Sequence, residues 1–122
     1  MLHITKFSGP RFDLALERLR AGHAFSFEDL TFWLAPDAHL EISINSSWTP
    51  DNVTQQRALE LLNRAKNVYR NLCAENASFA AVAGNLAPRF ILSYDYGGGS
   101  VELARLADGI IIWAKGFVPR TA

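Results

Sequence analysis

The segment from Arg89 to Lys115, RFILSYDYGGGSVELARLADGIIIWAK, constrains the fold more than any other part of the chain. Gly97-Gly98-Gly99-Ser100 interrupts it once and Asp108-Gly109 interrupts it again, each time between apolar runs. A tight hairpin reversal needs positive φ, which Asp-Gly tolerates at low steric cost. The punctuation therefore predicts three antiparallel strands joined as a meander. A sheet is a scaffold and not an activity, and no catalytic or metal-binding motif stands on it.

Upstream, the apolar period alternates between that of a strand and that of a helix. Met1 to Phe7 places Leu2 and Ile4 on one side and His3 and Thr5 on the other, as in a short strand. Ser8-Gly9-Pro10 opens a helix, with Phe12, Leu16 and Leu19 on one face and Gly22 as its stop. Leu30 to Ala35 and then Leu40, Ile42 and Ile44, alternating with Glu41, Ser43 and Asn45, predict a hairpin turning at Pro36-Asp37. Glu28-Asp29 reads as a bulge or as a second corner, which leaves His23 to Leu34 as one bent strand or two short ones.

Thr49-Pro50-Asp51 is the expected start of a long central helix. Its stripe is Ala58, Leu61, Leu62, Ala65, Val68, Tyr69 and Leu72, and Glu60 with Arg64 forms an i,i+4 ion pair on its wet face. Ser78 is the expected cap of one further turn that Gly84 closes. The order is β-α-β-β-α-β-β-β. The expected fold is α+β, a two-layer single domain over 1–122, with an antiparallel sheet, its C-terminal meander included, packed against the central helix.

A chain of 122 residues buries roughly two-thirds of its unfolded surface, enough for a core of its own. Twelve Lys and Arg against twelve Asp and Glu give no basic surplus, so nucleic acid is not an expected partner. One cysteine, Cys73, excludes an intramolecular disulfide, and the first residues lack the apolar run of a signal peptide, so the cytoplasm is the expected compartment. The densest apolar run, Gly109 to Ala114, is far short of the ~20 residues that span a bilayer, so no membrane association is expected. The sequons at Asn45, Asn52 and Asn76 are read as chance.

Two groups of residues look site-like. Tyr94, Asp95 and Tyr96 stand at the mouth of the glycine loop, where a strand end projects polar and aromatic groups; ordinary turn chemistry explains the same residues. The second group follows from charge distribution. Between Arg20 and Arg57 there is no Lys or Arg, while Glu28, Asp29, Asp37, Glu41 and Asp51 contribute five negative charges. With Phe32, Trp33 and Trp48 among them, these residues are expected to form an acidic, aromatic surface of the kind that steers and anchors a basic partner. Glu41 and Glu102 form a carboxylate pair only if their strands are neighbours. His3, His23 and His39 have no metal-ligand spacing, no nucleophile elbow is present, and no metal or cofactor is expected.

Two functions fit this pattern. The first, which the absence of motifs favours, is a non-catalytic protein-binding module of the immunity or inhibitor type that docks a basic protein through Glu28, Asp29, Trp33, Asp37 and Glu41, with Tyr94, Asp95 and Tyr96 as a second binding cluster. The alternative is a small-molecule-binding protein or modest enzyme with its pocket near Tyr94, Asp95 and Trp113. Self-association is compatible with either.

Overall fold

The computed structural model describes residues 1–45 and 48–121; the central serines of the Asn45-Ser46-Ser47 sequon lie outside the described residues. Ten elements follow one another: β1 (Leu2–Ile4), α1 (Pro10–Arg20), β2 (Phe25–Phe27), β3 (Leu30–Leu34), β4 (His39–Ile44), α2 (Gln55–Glu75), α3 (Ala77–Ala83), β5 (Ala87–Asp95), β6 (Ser100–Ala107) and β7 (Ile110–Trp113). The α+β expectation and its order hold. The open choice at Glu28-Asp29 resolves into two strands, because Glu28 takes φ 52° and Phe27 pairs directly with Leu30 across a two-residue turn.

The strands lie in the sheet in chain order, β1 to β7. β1 pairs with β2 and β4 with β5 in parallel, and the remaining neighbours are antiparallel, so the sheet is mixed where an antiparallel one was expected, because a helical crossover precedes β2 and β5. This order explains the layering. Two hairpin reversals separate β2 from β4, so β1, β2, β4 and β5 all run the same way, and both crossovers step toward the same edge. Crossovers between parallel strands are right-handed, so two of the same sense and direction place their helices on the same face. Helices α1, α2 and α3 accordingly cover one face, and among the described residues no helix covers the other.

Side-chain alternation follows the same division. Phe25, Leu30, Phe32, Leu40, Ile42, Ile44 and Leu92 are fully buried against Phe12 and Leu19 of α1, Ala58, Leu62 and Ala65 of α2, and Phe79 of α3. Phe25 and Phe32 stack with centroids 4.8 Å apart, and Phe79 meets Phe32 edge-on. The opposite residues, among them Ser26, Thr31, Trp33, Glu41, Ser43, Ser93, Glu102 and Arg105, project from the bare face.

The central helix starts later than its sequence suggests. Thr49 to Asn52 close a single turn, with the amides of Asn52 and Val53 donating to the Thr49 carbonyl at 3.2 and 3.1 Å. The chain then extends, because Val53 is buried and its carbonyl accepts from the Arg120 amide at 2.8 Å. Thr54 caps the helix proper, its hydroxyl accepting from the Arg57 amide at 3.0 Å. At the other end Asn76, not Ser78, caps α3: its Oδ1 accepts from the Phe79 amide at 2.8 Å and its Nδ2 donates to the Phe7 carbonyl at 3.2 Å.

Candidate functional site

The bare face of the sheet forms an open trough of about 580 Å3 across β3, β4, β5 and β6, closed at one side by Met1 and by Gly22 to Ala24. Trp33 forms part of its wall. The indole lies on the bare face because Trp33 pairs with Glu41, one residue out of phase with buried Phe32 and Ile42, and its Nε1 donates to the Gly22 carbonyl at 3.3 Å. The lining contains three carboxylates, Glu41, Asp95 and Glu102, and no Lys or Arg.

These three carboxylates differ in their surroundings. Arg105 grips Glu102 with two bonds of 3.0 Å. Arg89 Nη1 donates to Glu41 at 3.4 Å while its Nη2 donates to Asp37 at 2.5 Å. That contact holds the Asp37 carboxyl below its ordinary value and raises the Arg89 guanidinium. Asp95 has no ion pair among the described residues. It accepts only the Asn45 amide, Nδ2 to Oδ2 at 3.4 Å, and Asn45 Oδ1 in turn accepts from Thr31 at 3.5 Å and Ser43 at 3.4 Å. Ser93 and Ser100, joined at 2.6 Å, complete a row of hydroxyls beside it. The trough thus offers acceptors, rotatable hydroxyls, an aromatic wall and one carboxylate whose charge no neighbouring cation answers.

The expected acidic surface is divided by tertiary structure. Glu28 and Asp29 lie at the β2–β3 turn beside α2, where Arg64 donates to both, at 3.2 and 2.6 Å. Arg64 therefore does not pair with Glu60, which takes Arg57 at 3.4 Å instead. Four of the five acids of this stretch share two arginines from far along the chain, Arg64 and Arg89, so its negative charge is reduced in space and split between two places rather than gathered on one surface. Phe32 and Trp48 are buried, and Trp33 alone of the three expected aromatics faces outward. Of the expected site residues the structure brings Trp33, Glu41 and Asp95 together.

Tyr94 lies on the helix-covered face, its ring 6.3 Å from that of Trp48, and Tyr96 is exposed at the glycine loop. Trp113 also belongs to the helical side, donating to Gln55 Oε1 at 2.7 Å and packing on Phe117. Tyr94 and Trp113 therefore share no pocket with Asp95, because the pleat sends successive residues to opposite faces. Glu41 and Glu102 line one trough, but β5 separates their strands and each is held by its own arginine.

Thr31, Ser43, Asn45, Ser93 and Ser100 were not picked out as site residues from sequence. For Thr31 and Ser43 the signal is phase, since each stands out of step with the buried residues of its strand. Asn45 follows the end of β4, and Ser93 and Ser100 carry no such signal, because Ser93 is itself buried in phase with Ile91 and Ser100 is in step with buried Ala104. Ser26 Oγ and His3 Nδ1 also bond across β1 and β2, but no carboxylate bonds the imidazole among the described residues. Among those residues no group of three or more His, Cys, Asp or Glu is placed to hold a metal ion, and no helix is long and apolar enough to cross a membrane. No protein-family model, curated protein or solved structure matches the chain.

Proposed function

We propose that this protein is a non-catalytic binding module of the immunity or inhibitor type, which receives a basic segment of a protein partner in the trough on the bare face of its sheet. The observation that carries this reading is Asp95: a carboxylate held by one amide and without an ion pair among the described residues, in a lining with two further carboxylates and no Lys or Arg. An arginine or lysine entering the trough supplies the missing countercharge, and the Trp33 ring offers a stacking surface for a guanidinium. Steering by the carboxylates and anchoring by the aromatic wall are the two requirements of such an interface.

The test uses short extended peptides carrying Arg and Lys as probes and the nitrogen-15-labelled protein as receptor. The Trp33 indole N–H and the Asn45 side-chain amide are resolved reporters inside the trough. Expected are saturable shifts at these two groups that shrink as salt is raised, and their loss in Asp95→Lys. Shifts confined to the acidic turn at Glu28 and Asp29, or no saturable shift at all, reject the reading.

A further inference from the structure

The two edges of the sheet are treated differently. At the β1 edge the Arg11 guanidinium donates to the carbonyl of His3, the middle residue of the strand, at 2.5 Å. A charged side chain on an edge carbonyl blocks the approach of another strand. The β7 edge has no such guard: its residues are Ile110, Ile111, Ile112 and Trp113, without a charge, a proline or a bulge.

The free polar groups of that edge follow from the turn. Asp108 and Gly109, at φ 52° and 79°, make a two-residue hairpin, and the residues flanking such a turn, Ala107 and Ile110, form a hydrogen-bonded pair. Ladder alternation then directs the N–H and C=O of Ile111 and Trp113 away from β6. No donor or acceptor among the described residues meets these outward groups. On the bare face beside them, Ile110 and Ile112 are 67% and 54% exposed.

We propose that β7 pairs antiparallel with β7 of a second copy of this chain, joining two seven-stranded sheets into one across a two-fold axis at Ile111. In this alignment Ile111 exchanges both bonds with its own counterpart and Trp113 pairs with Gly109. Ile110 lies opposite Ile112 twice, so the two exposed isoleucines of each copy cover those of the other.

Charge selects this occupant and this direction. Asp108 and Lys115 flank the strand, both are exposed, and neither has an ion pair among the described residues. Antiparallel pairing sets Asp108 of each copy opposite Ala114 of the other, one position from Lys115, so opposite charges meet at each end of the joined strands, whereas in-register parallel pairing gathers like charges at the same end. The contact is isologous and closes at two chains, as two-fold symmetry requires. A strand of four residues gives a small interface, so the association is weak and depends on concentration.

Sedimentation equilibrium of the wild-type chain over a wide concentration range is the first measurement. The mass is expected to rise from 13.5 kDa toward twice that value. Ile110→Lys with Ile112→Lys, and separately Ile110→Glu with Ile112→Glu, place like charges opposite each other across the axis. Each double variant is expected to stay at 13.5 kDa with its circular dichroism unchanged, since both side chains are exposed. An equimolar mixture of the two variants is expected to recover the dimer, because Lys then faces Glu. Wild-type protein that remains monomeric throughout, variants that dimerise as wild type does, or a mixture that stays monomeric would each overturn the proposal.

Discussion

Tyr69 stands half-buried on α2 with its ring against Phe79 and Phe90, at centroid separations of 6.2 and 5.8 Å. Burial pushes its phenol up to about 12, and Cys73, one turn further along the helix, acts in the same direction. A raised phenol keeps its proton in the folded chain after the unfolded chain has lost it. The contribution of Tyr69 to stability is therefore full below pH 10 and is lost as the pH rises from 10 toward 12. Absorbance titration is expected to show a tyrosinate step near pH 12 that Tyr69→Phe removes. At Gly109 the constraint is backbone geometry. Its φ of 79° is one that a β-branched side chain resists, so Gly109→Val is expected to destabilise the fold by about 1 to 3 kcal/mol. A thermal midpoint equal to wild type would refute the strained turn.

Among the elements, those set by local chemistry were legible in the sequence and those set by distant contacts were not. The Asp108-Gly109 turn, the glycine loop and the stripe from Ala58 to Leu72 follow from residues a few positions apart, and the meander and central helix stand where that pattern put them. The start of α2 was misplaced because the extended conformation at Val53 answers to Arg120, 67 positions away in the chain. The partners of the acidic stretch were hidden for the same kind of reason, since Arg64 and Arg89 reach back to four of its five acids across 35 to 52 residues. Leu62, fully buried where α2 meets the sheet, gives the element-scale prediction. Leu62→Ala is expected to cost about 2 to 5 kcal/mol in urea titration, and a loss below about 1 kcal/mol would mean that the stripe does not pack on the sheet.

At the scale of the whole molecule, the handedness of two crossovers decides which face stays open, and the phase of each strand decides what is displayed there. The hydrophobic core and the open trough thereby lie on opposite faces of one sheet. Asp95 and Glu28 provide the comparison, since both are exposed acids but only Asp95 lines the trough. Glu28→Lys breaks an exposed pair with Arg64 and is expected to change stability by at most about 1 kcal/mol while leaving peptide binding intact. Asp95→Lys breaks no ion pair and is expected to leave stability within about 0.5 kcal/mol. It nevertheless replaces the uncompensated carboxylate with a cation, so association with a basic peptide slows and its salt dependence flattens. Stopped-flow association rates at low and high salt distinguish the two variants. Equal slowing by both would mean that general surface charge does the steering, and slowing by Glu28→Lys alone would return recognition to the acidic turn at the end of β2.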